Sequence, residues 1–333
     1  MQDCHVPDDL DYQIVHALQV APRAPWGVVG DVVGVSAATA ARRWERLVDQ
    51  GLAWIVSYPG AAYLNTRCSA FVEVQTSAAR DSVVERLCRD RHVATIQRTA
   101  GDGDLLLTVM VPDLEFLGDW VQLLAESDGV ARTRTRVVTK VIGESERWRM
   151  RTLGQDEESV LAEHRPVHRP LAHDPDEPDL RLIAALAEDG RRSAVDLASA
   201  SGLSAPTVRR RLTALVAERV LSIRCEVAHV ISGWPITANV WARASSRSIV
   251  ALVDALDGLP QVRVCCEVTG TANIIMGVWL HTVGELAEFE QELESLVPGL
   301  VVVDRSVTLE TPKRLGSLLD RSGCRTGSVP VVL

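Results

Sequence analysis

Three consecutive arginines, Arg209, Arg210 and Arg211, follow Ser204 and Thr207 and precede Thr213. Guanidinium and hydroxyl groups are the side chains that meet phosphate oxygens and base edges of a duplex. A parallel set, Ser36, Thr39, Arg42 and Arg43, stands earlier in the chain. A second kind of cluster is a pair of turns, Gly101-Asp102-Gly103-Asp104 and Gly270-Thr271-Ala272-Asn273. Glycine lets backbone N–H groups approach a carboxylate, and Asp104 could take an ammonium. A tight hairpin that needs glycine for its dihedral angles explains the same residues. The candidate ligand residues are therefore Gly101, Asp102, Asp104, Gly270, Thr271 and Asn273.

Other chemistry finds no foothold. The sequence has no glycine-rich phosphate loop following a strand, no His-Glu-x-x-His and no Cys-x-x-Cys, so no enzyme, catalytic residue or cofactor is expected. Cys265 and Cys266 are adjacent in a strand pattern and face opposite sides, which makes them poor joint metal ligands. His164, His168 and His173 lie in a proline-punctuated stretch without matching cysteines or carboxylates, and a solvated loop without metal is expected there.

The arginine cluster needs a helix to present it. Asp179 to Glu188 carries Leu182, Ile183 and Leu186 on one stripe. Ser193-Ala194-Val195-Asp196 reads as a capping box opening a short helix that Gly202 stops. Ser204 caps a third helix with Pro206 in its first turn. Val208, Leu212, Leu215 and Val216 share one face. Arg209, Arg210 and Thr213 point away from it, and Arg211 sits on the flank. Val220 to Val227 follows as a strand. Two short helices about a turn and a capped third helix make a helix-turn-helix, whose third helix can enter a major groove. A solvated surface helix would carry the same arginines, but the capped helix and turn before it favour the duplex.

The turns need a sheet. Ala70–Val74 reads as a strand, 79–91 as a helix, Val93–Thr99 and Leu105–Val111 as strands flanking the first turn, Leu114–Ala125 as a helix and Val130–Ile142 as a strand. That β-α-β-β-α-β order is ferredoxin-like. It recurs from Ile236 to Glu310.

The whole arrangement is duplicated. At a shift of 168, Arg23 meets Arg191, Gly34 meets Gly202, Ser36 meets Ser204 and Arg42-Arg43 meets Arg210-Arg211. The shift drifts to 169 at Gly101 and Gly270 and to 170 at Gly129 and Gly299, as short loop insertions produce. The fold class expected is α+β, with two winged-helix-like helix-turn-helix domains (1–60 and 178–230) and two ferredoxin-like sensor domains (66–143 and 235–311). A linker at 144–177, with a short helix around Glu157–Glu163, joins the copies, and 312–333 forms a tail.

These residues carry a resemblance. Leu180 to Arg191, Leu197-Ala198, Gly202-Leu203-Ser204, Thr207-Val208, Arg210-Arg211-Leu212 and Leu215 resemble the Lrp/AsnC family of feast/famine transcriptional regulators, as do the glycine-rich turns. The resemblance covers most of the chain, twice over. It implies a DNA-binding transcription factor whose sensor domains pair through their sheets and bind a small effector, often an amino acid, near their interfaces. Expected partners are double-stranded operator DNA, that effector and further copies of the chain. A ligand-sensing oligomer without DNA binding is the alternative. The final glycine of the family motif is present as Gly51 but is Arg219 in the second copy.

Composition fits. The chain has 333 residues, 47% hydrophobic and 24% charged, ordinary for globular domains, and its longest apolar runs are strand-sized, so no membrane span is expected. The seven cysteines and the lack of an apolar N-terminal run point to the cytoplasm. The net charge of −9 does not argue against DNA, because binding follows local charge. The first copy looks weaker at reading DNA: Ala41 replaces Arg209, Glu45 replaces Thr213, and Gly27 and Gly30 sit inside its second helix, each costing about 1 kcal/mol relative to alanine.

Overall fold

The computed structural model describes every residue except 1–5, 78–79, 145–147, 173 and 332–333. His173 and part of the linker therefore lie outside the described residues. The first copy runs α1 (Asp9–Val20), α2 (Trp26–Val33), α3 (Ala37–Asp49), β1 (Ala53–Pro59), the short α4 (Ala61–Leu64), β2 (Cys68–Thr76), α5 (Arg80–Arg89), β3 (Val93–Ala100), β4 (Leu105–Val111), α6 (Leu114–Ala125) and β5 (Val130–Glu144). The linker contributes α7 (Gln155–Ala162). The second copy runs α8 (Glu177–Glu188), α9 (Ala194–Ser201), α10 (Ala205–Ala217), β6 (Leu221–Val227), the short α11 (His229–Ser232), β7 (Ile236–Arg243), α12 (Ser246–Ala255), β8 (Val262–Val268), β9 (Ile274–Leu280), α13 (Glu285–Leu296) and β10 (Val301–Arg314). Two further strands, β11 (Ser317–Leu319) and β12 (Arg325–Ser328), lie in the segment expected to be a plain tail.

The elements form two compact units. One gathers residues 1–63, 149–232 and 324–330, and thus both helix-turn-helix copies. The other gathers 64–148, 233–323 and 331–333, and thus both sensor copies. Chain order alternates between the units because each copy contributes one module to each.

In the helix-turn-helix unit, β1 and β6 pair antiparallel, with Val56 opposite Arg224. Those two residues are equivalent in the repeat, so the ribbon crosses at its own pseudo-two-fold axis. Arg23 and Arg191 tie the same joint reciprocally. Arg23 donates to the carbonyls of Gly190 (2.5 Å) and Arg192 (2.9 Å). Arg191 donates to those of Pro22 (2.7 Å) and Ala24 (2.9 Å). Burial, and then the neighbouring Arg23 guanidinium, pull the Arg191 pKa down to about 10. Arg191 also lies 4.1 Å over the Trp26 ring.

In the sensor unit each copy is a four-stranded sheet, ordered β3-β4-β2-β5 and β8-β9-β7-β10. The alternation of a strand separates its two faces. Leu105, Leu107 and Val109 of β4 join Val83, Leu87, Leu117 and Leu124 in the first helix-covered core. Ala238, Val240, Met276, Leu252, Phe289 and Leu293 build the second. The opposite faces meet each other: Phe71, Leu106, Trp241, Cys266 and Ile275 form one buried cluster. Cys265 faces the helix-covered core while Cys266 faces the inner cluster, as strand alternation requires. The sheets are also joined at both edges, β5 to β8 and β10 to β3, so the strands close into a ring. Face-to-face pairing was legible in the sequence; the closed edges were not.

Candidate nucleic-acid interface and ligand pocket

Helix α10 is pinned by Val208, Leu212 and Leu215, all buried. Its N-cap is Ser204, whose hydroxyl accepts the Thr207 N–H at 3.3 Å and lies 2.8 Å from the Thr207 hydroxyl. Those groups therefore stabilise the helix start. Arg209 and Arg210 are exposed, and neither guanidinium has a hydrogen-bond or ion-pair partner among the described residues. Thr213 is exposed as well, with its hydroxyl donating to the Arg209 carbonyl.

Arg211 differs from its neighbours. Its Nη1 lies 2.8 Å from Asp176 Oδ1 and 2.8 Å from Asp179 Oδ1. These carboxylates form the capping box of α8. The guanidinium thus braces α10 against the first helix of its module, and the hydrogen bond it donates to Asp179 raises its pKa above the ordinary value. Arg43 makes the same strut with Asp8 (2.8 Å) and Asp11 (3.0 Å). Sequence reasoning grouped Arg43 and Arg211 with the duplex contacts. The signal that distinguishes them is the Asp-x-x-Asp that opens each first helix.

Helix α3 of the first copy is anchored by Ala40, Trp44 and Leu47. Ser36 caps it, accepting the Thr39 N–H at 3.1 Å. Of its outward residues, Arg42 and Glu45 are exposed. Gly30 is no defect in the helix before it. A Cβ there would lie 2.6 Å from the Val35 carbonyl oxygen and 3.0 Å from the Ala37 nitrogen, so glycine permits the tight approach of α2 to the start of α3.

The first sensor turn borders a cavity of about 160 Å³ lined by Glu73, Gln75, Asp102, Gly103, Arg132, Thr133 and Arg134. Gln75 Nε2 donates to the Asp102 carbonyl at 3.0 Å. The Glu73 carboxylate is held by Arg136 at 2.5 Å, with Arg134 at 3.6 Å. Arg136 stacks on Trp241, its guanidinium 4.1 Å from the ring centroid.

Asp104, chosen from the sequence as an ammonium partner, is already engaged. Its Oδ2 accepts the Thr76 N–H at 2.7 Å and the Thr76 hydroxyl at 3.1 Å, and its Oδ1 pairs with Arg80. Burial pushes this carboxyl up, but the Thr76 hydrogen bonds and Arg80 outweigh it and hold the pKa below the usual value. Asn273 does the same work without charge: its amide accepts from the Ala244 N–H and donates to the Ala244 carbonyl, each at 2.9 Å. Gly270 has φ +112°, a conformation that requires glycine. Gly101 lies against Ser306, whose Cβ would be 3.0 Å from a Cβ at that position. Thr271 is exposed. Trp241 and Asp304 pair in the second copy where Glu73 and Arg134 pair in the first.

The AsnC-type helix-turn-helix domain matches residues 8–48 and 176–216, and the Lrp/AsnC ligand binding domain matches residues 69–148 and 237–318. The Bkd operon transcriptional regulator of Pseudomonas aeruginosa is 32% identical over 145 residues, covering 40% of this chain and 90% of the relative. The HTH-type transcriptional regulator FL11 of Pyrococcus furiosus is 24% identical over 136 residues, covering 40% of this chain and 90% of the relative. These relatives thus correspond in length to one copy. Among solved structures, the siroheme decarboxylase NirDL superposes over 92% of this chain and 93% of its own, with a TM-score of 0.58 and 16% identity, a likeness of fold alone.

Proposed function

The chain belongs to the Lrp/AsnC family, and from that premise we propose that it is a double-length DNA-binding transcriptional regulator rather than an enzyme. The observation that carries this reading is α10, a well-anchored helix that presents the Arg209 and Arg210 guanidinium groups without a partner among the described residues. Unpaired guanidinium groups on an exposed helix of a helix-turn-helix suit phosphates and guanine edges. Ser204 and Thr207 hold the start of α10, which approaches the duplex with Thr213 on its outward face; Ser36 and Thr39 hold the start of α3, on whose outward face Arg42 stands, and Arg43 and Arg211 act by bracing.

The effector belongs at the cavity beside Gly101, Asp102 and Gly103. Its volume of about 160 Å³ is below that of most ligand clefts and leaves room only for a small metabolite. Arg132 and Arg134 offer cations to a carboxylate, and Asp102 offers an acceptor to an ammonium, so a free amino acid is the ligand class. Asp104, Asn273 and Gly270 shape their turns, and Thr271 stands at the surface of the second one.

The test is a gel shift of DNA from upstream of the chain's own coding region, repeated over a salt series, together with thermal melts against the common amino acids. A shift that weakens steeply with salt supports the regulator. Thermal stabilisation by one amino acid without any shift points to the sensing-only alternative. No shift, with an altered absorption spectrum on adding an iron tetrapyrrole, overturns the reading in favour of chemistry like that named for NirDL.

A further inference from the structure

The linker does more than connect the copies. It binds along one stripe of α1 formed by Tyr12, His16 and Gln19. Gln19 Oε1 accepts the Met150 N–H at 2.8 Å. His16 Nδ1 accepts the N–H groups of Thr152 (3.1 Å) and Leu153 (2.9 Å), and the Tyr12 carbonyl accepts the Thr152 hydroxyl at 3.2 Å. Helix α7 then lies against both α1 and α2, with Leu161 fully buried. Val28 and Val32 of α2 are half-buried, whereas their second-copy equivalents, Asp196 and Ala200, are exposed. The stripe on α8 equivalent to that on α1 is Leu180, Ala184 and Ala187, which has no side-chain acceptor to hold a strand.

This cover brings negative charge. Asp156 and Glu157 in the first turn of α7 are exposed, as is Glu163 just past its end. The outward residues of the adjacent module add to it: Asp31 on α2, and Glu45 and Asp49 on α3, are all exposed. Against them α3 presents Arg42 and, half-buried, Arg46, where α10 presents both Arg209 and Arg210 and α9 exposes one acid, Asp196. A duplex carries a dense line of phosphates, and a surface of this sign repels it.

We propose that each chain reads one half-site, through α10, and that the first helix-turn-helix serves as an acid-faced support that stays off the base edges. A palindromic operator is then read by two chains, each contributing one α10. This inference rests on the DNA-binding function proposed above.

The experiment uses the full chain and a duplex from its upstream region. Fluorescence anisotropy at fixed salt compares wild type, Arg210→Ala and Arg42→Ala, with circular dichroism and thermal melts as folding controls. A base-reading arginine predicts a loss of about tenfold to a hundredfold for Arg210→Ala. Arg42→Ala is expected to stay within about twofold. Hydroxyl-radical footprinting at one bound chain per duplex is expected to give one protected patch. Equal losses in the two variants, or two equal patches about one helical turn apart with a single chain bound, overturn the inference. If wild type binds no DNA, the proposed function itself fails, and the inference falls with it.

Discussion

In the first helix-turn-helix copy Arg43 grips Asp8 and Asp11, Arg23 reaches the neighbouring copy and Ser36 caps α3. In the second, Arg211, Arg191 and Ser204 do the same. Two of the three outward positions differ: Ala41 and Glu45 stand against Arg209 and Thr213, while Arg42 and Arg210 match. The surroundings differ too, since α7 is latched to the first copy by His16, where the second has Ala184. The residues that act as joints are shared by the two modules, whereas of the three outward positions only the arginine at Arg42 and Arg210 is kept. A module can therefore keep its fold while changing what its surface is for.

The largest expected effect tests whether the shared joints are equal. Arg191→Ala leaves the Pro22 and Ala24 carbonyls without their donor and removes the stack on Trp26, and is expected to cost about 2–4 kcal/mol. Arg23→Ala removes two equivalent hydrogen bonds, but Ala194 stands opposite it in the repeat where Trp26 stands opposite Arg191. It is expected to cost about 1 kcal/mol less. Urea denaturation of the two variants measures the gap, and equal losses mean that the ring contributes nothing.

A smaller effect separates close approach from helix propensity. Gly30→Ala gains helix propensity but drives a methyl into the Val35 carbonyl, and is expected to destabilise by about 1–3 kcal/mol. At the equivalent position Ala198→Gly should cost about 1 kcal/mol by propensity alone. A higher melting temperature for Gly30→Ala would return Gly30 to the reading of a simple weak point.

The smallest effect concerns the latch. His16 is buried and uses Nδ1 to accept two N–H groups, which requires the neutral ring. Burial lowers its pKa below the ordinary 6.5; the nearby Glu158, with Nε2 3.1 Å from its Oε1, opposes that pull, and Arg149 adds to it. Below pH 6.5 the unfolded chain takes up a proton that the folded chain refuses, so the stability from this site is complete above 6.5 and declines as pH falls towards the folded value. Denaturation midpoints at pH 7.5 and 5.5 should separate more for wild type than for His16→Ala, whereas Ala184→His on the uncovered module should add no such latch. An identical pH slope with and without His16 would remove the latch from the comparison.

The elements themselves were legible. Leu105–Val111 and Leu114–Ala125 occupy the expected residues, and the linker helix begins two residues before the expected Glu157. Periodicity and caps are local, so a single stretch of chain reveals them. The partners of Arg23 and Asp104 were not legible, and those of Arg43 left only the Asp8-x-x-Asp11 pattern as a signal. Arg23 meets carbonyls 167 and 169 residues away, and Asp104 meets Thr76 at the end of β2 and Arg80 at the start of α5. An arginine destined for a strut and one destined for a phosphate have the same helical spacing. Gly30 shows the same limit, because its cost to the helix is local while the approach it permits is tertiary.

The crossed β1–β6 ribbon and its two arginine ties lie within one polypeptide. For modules on separate chains, pairing follows mass action, and dilution in a growing cell would dissolve it. Here the chain itself supplies each module's neighbour at a high and fixed effective concentration. The joint is made once, as the chain folds, and the number of paired modules then rises in direct proportion to the number of chains synthesised, at scarcity as at abundance.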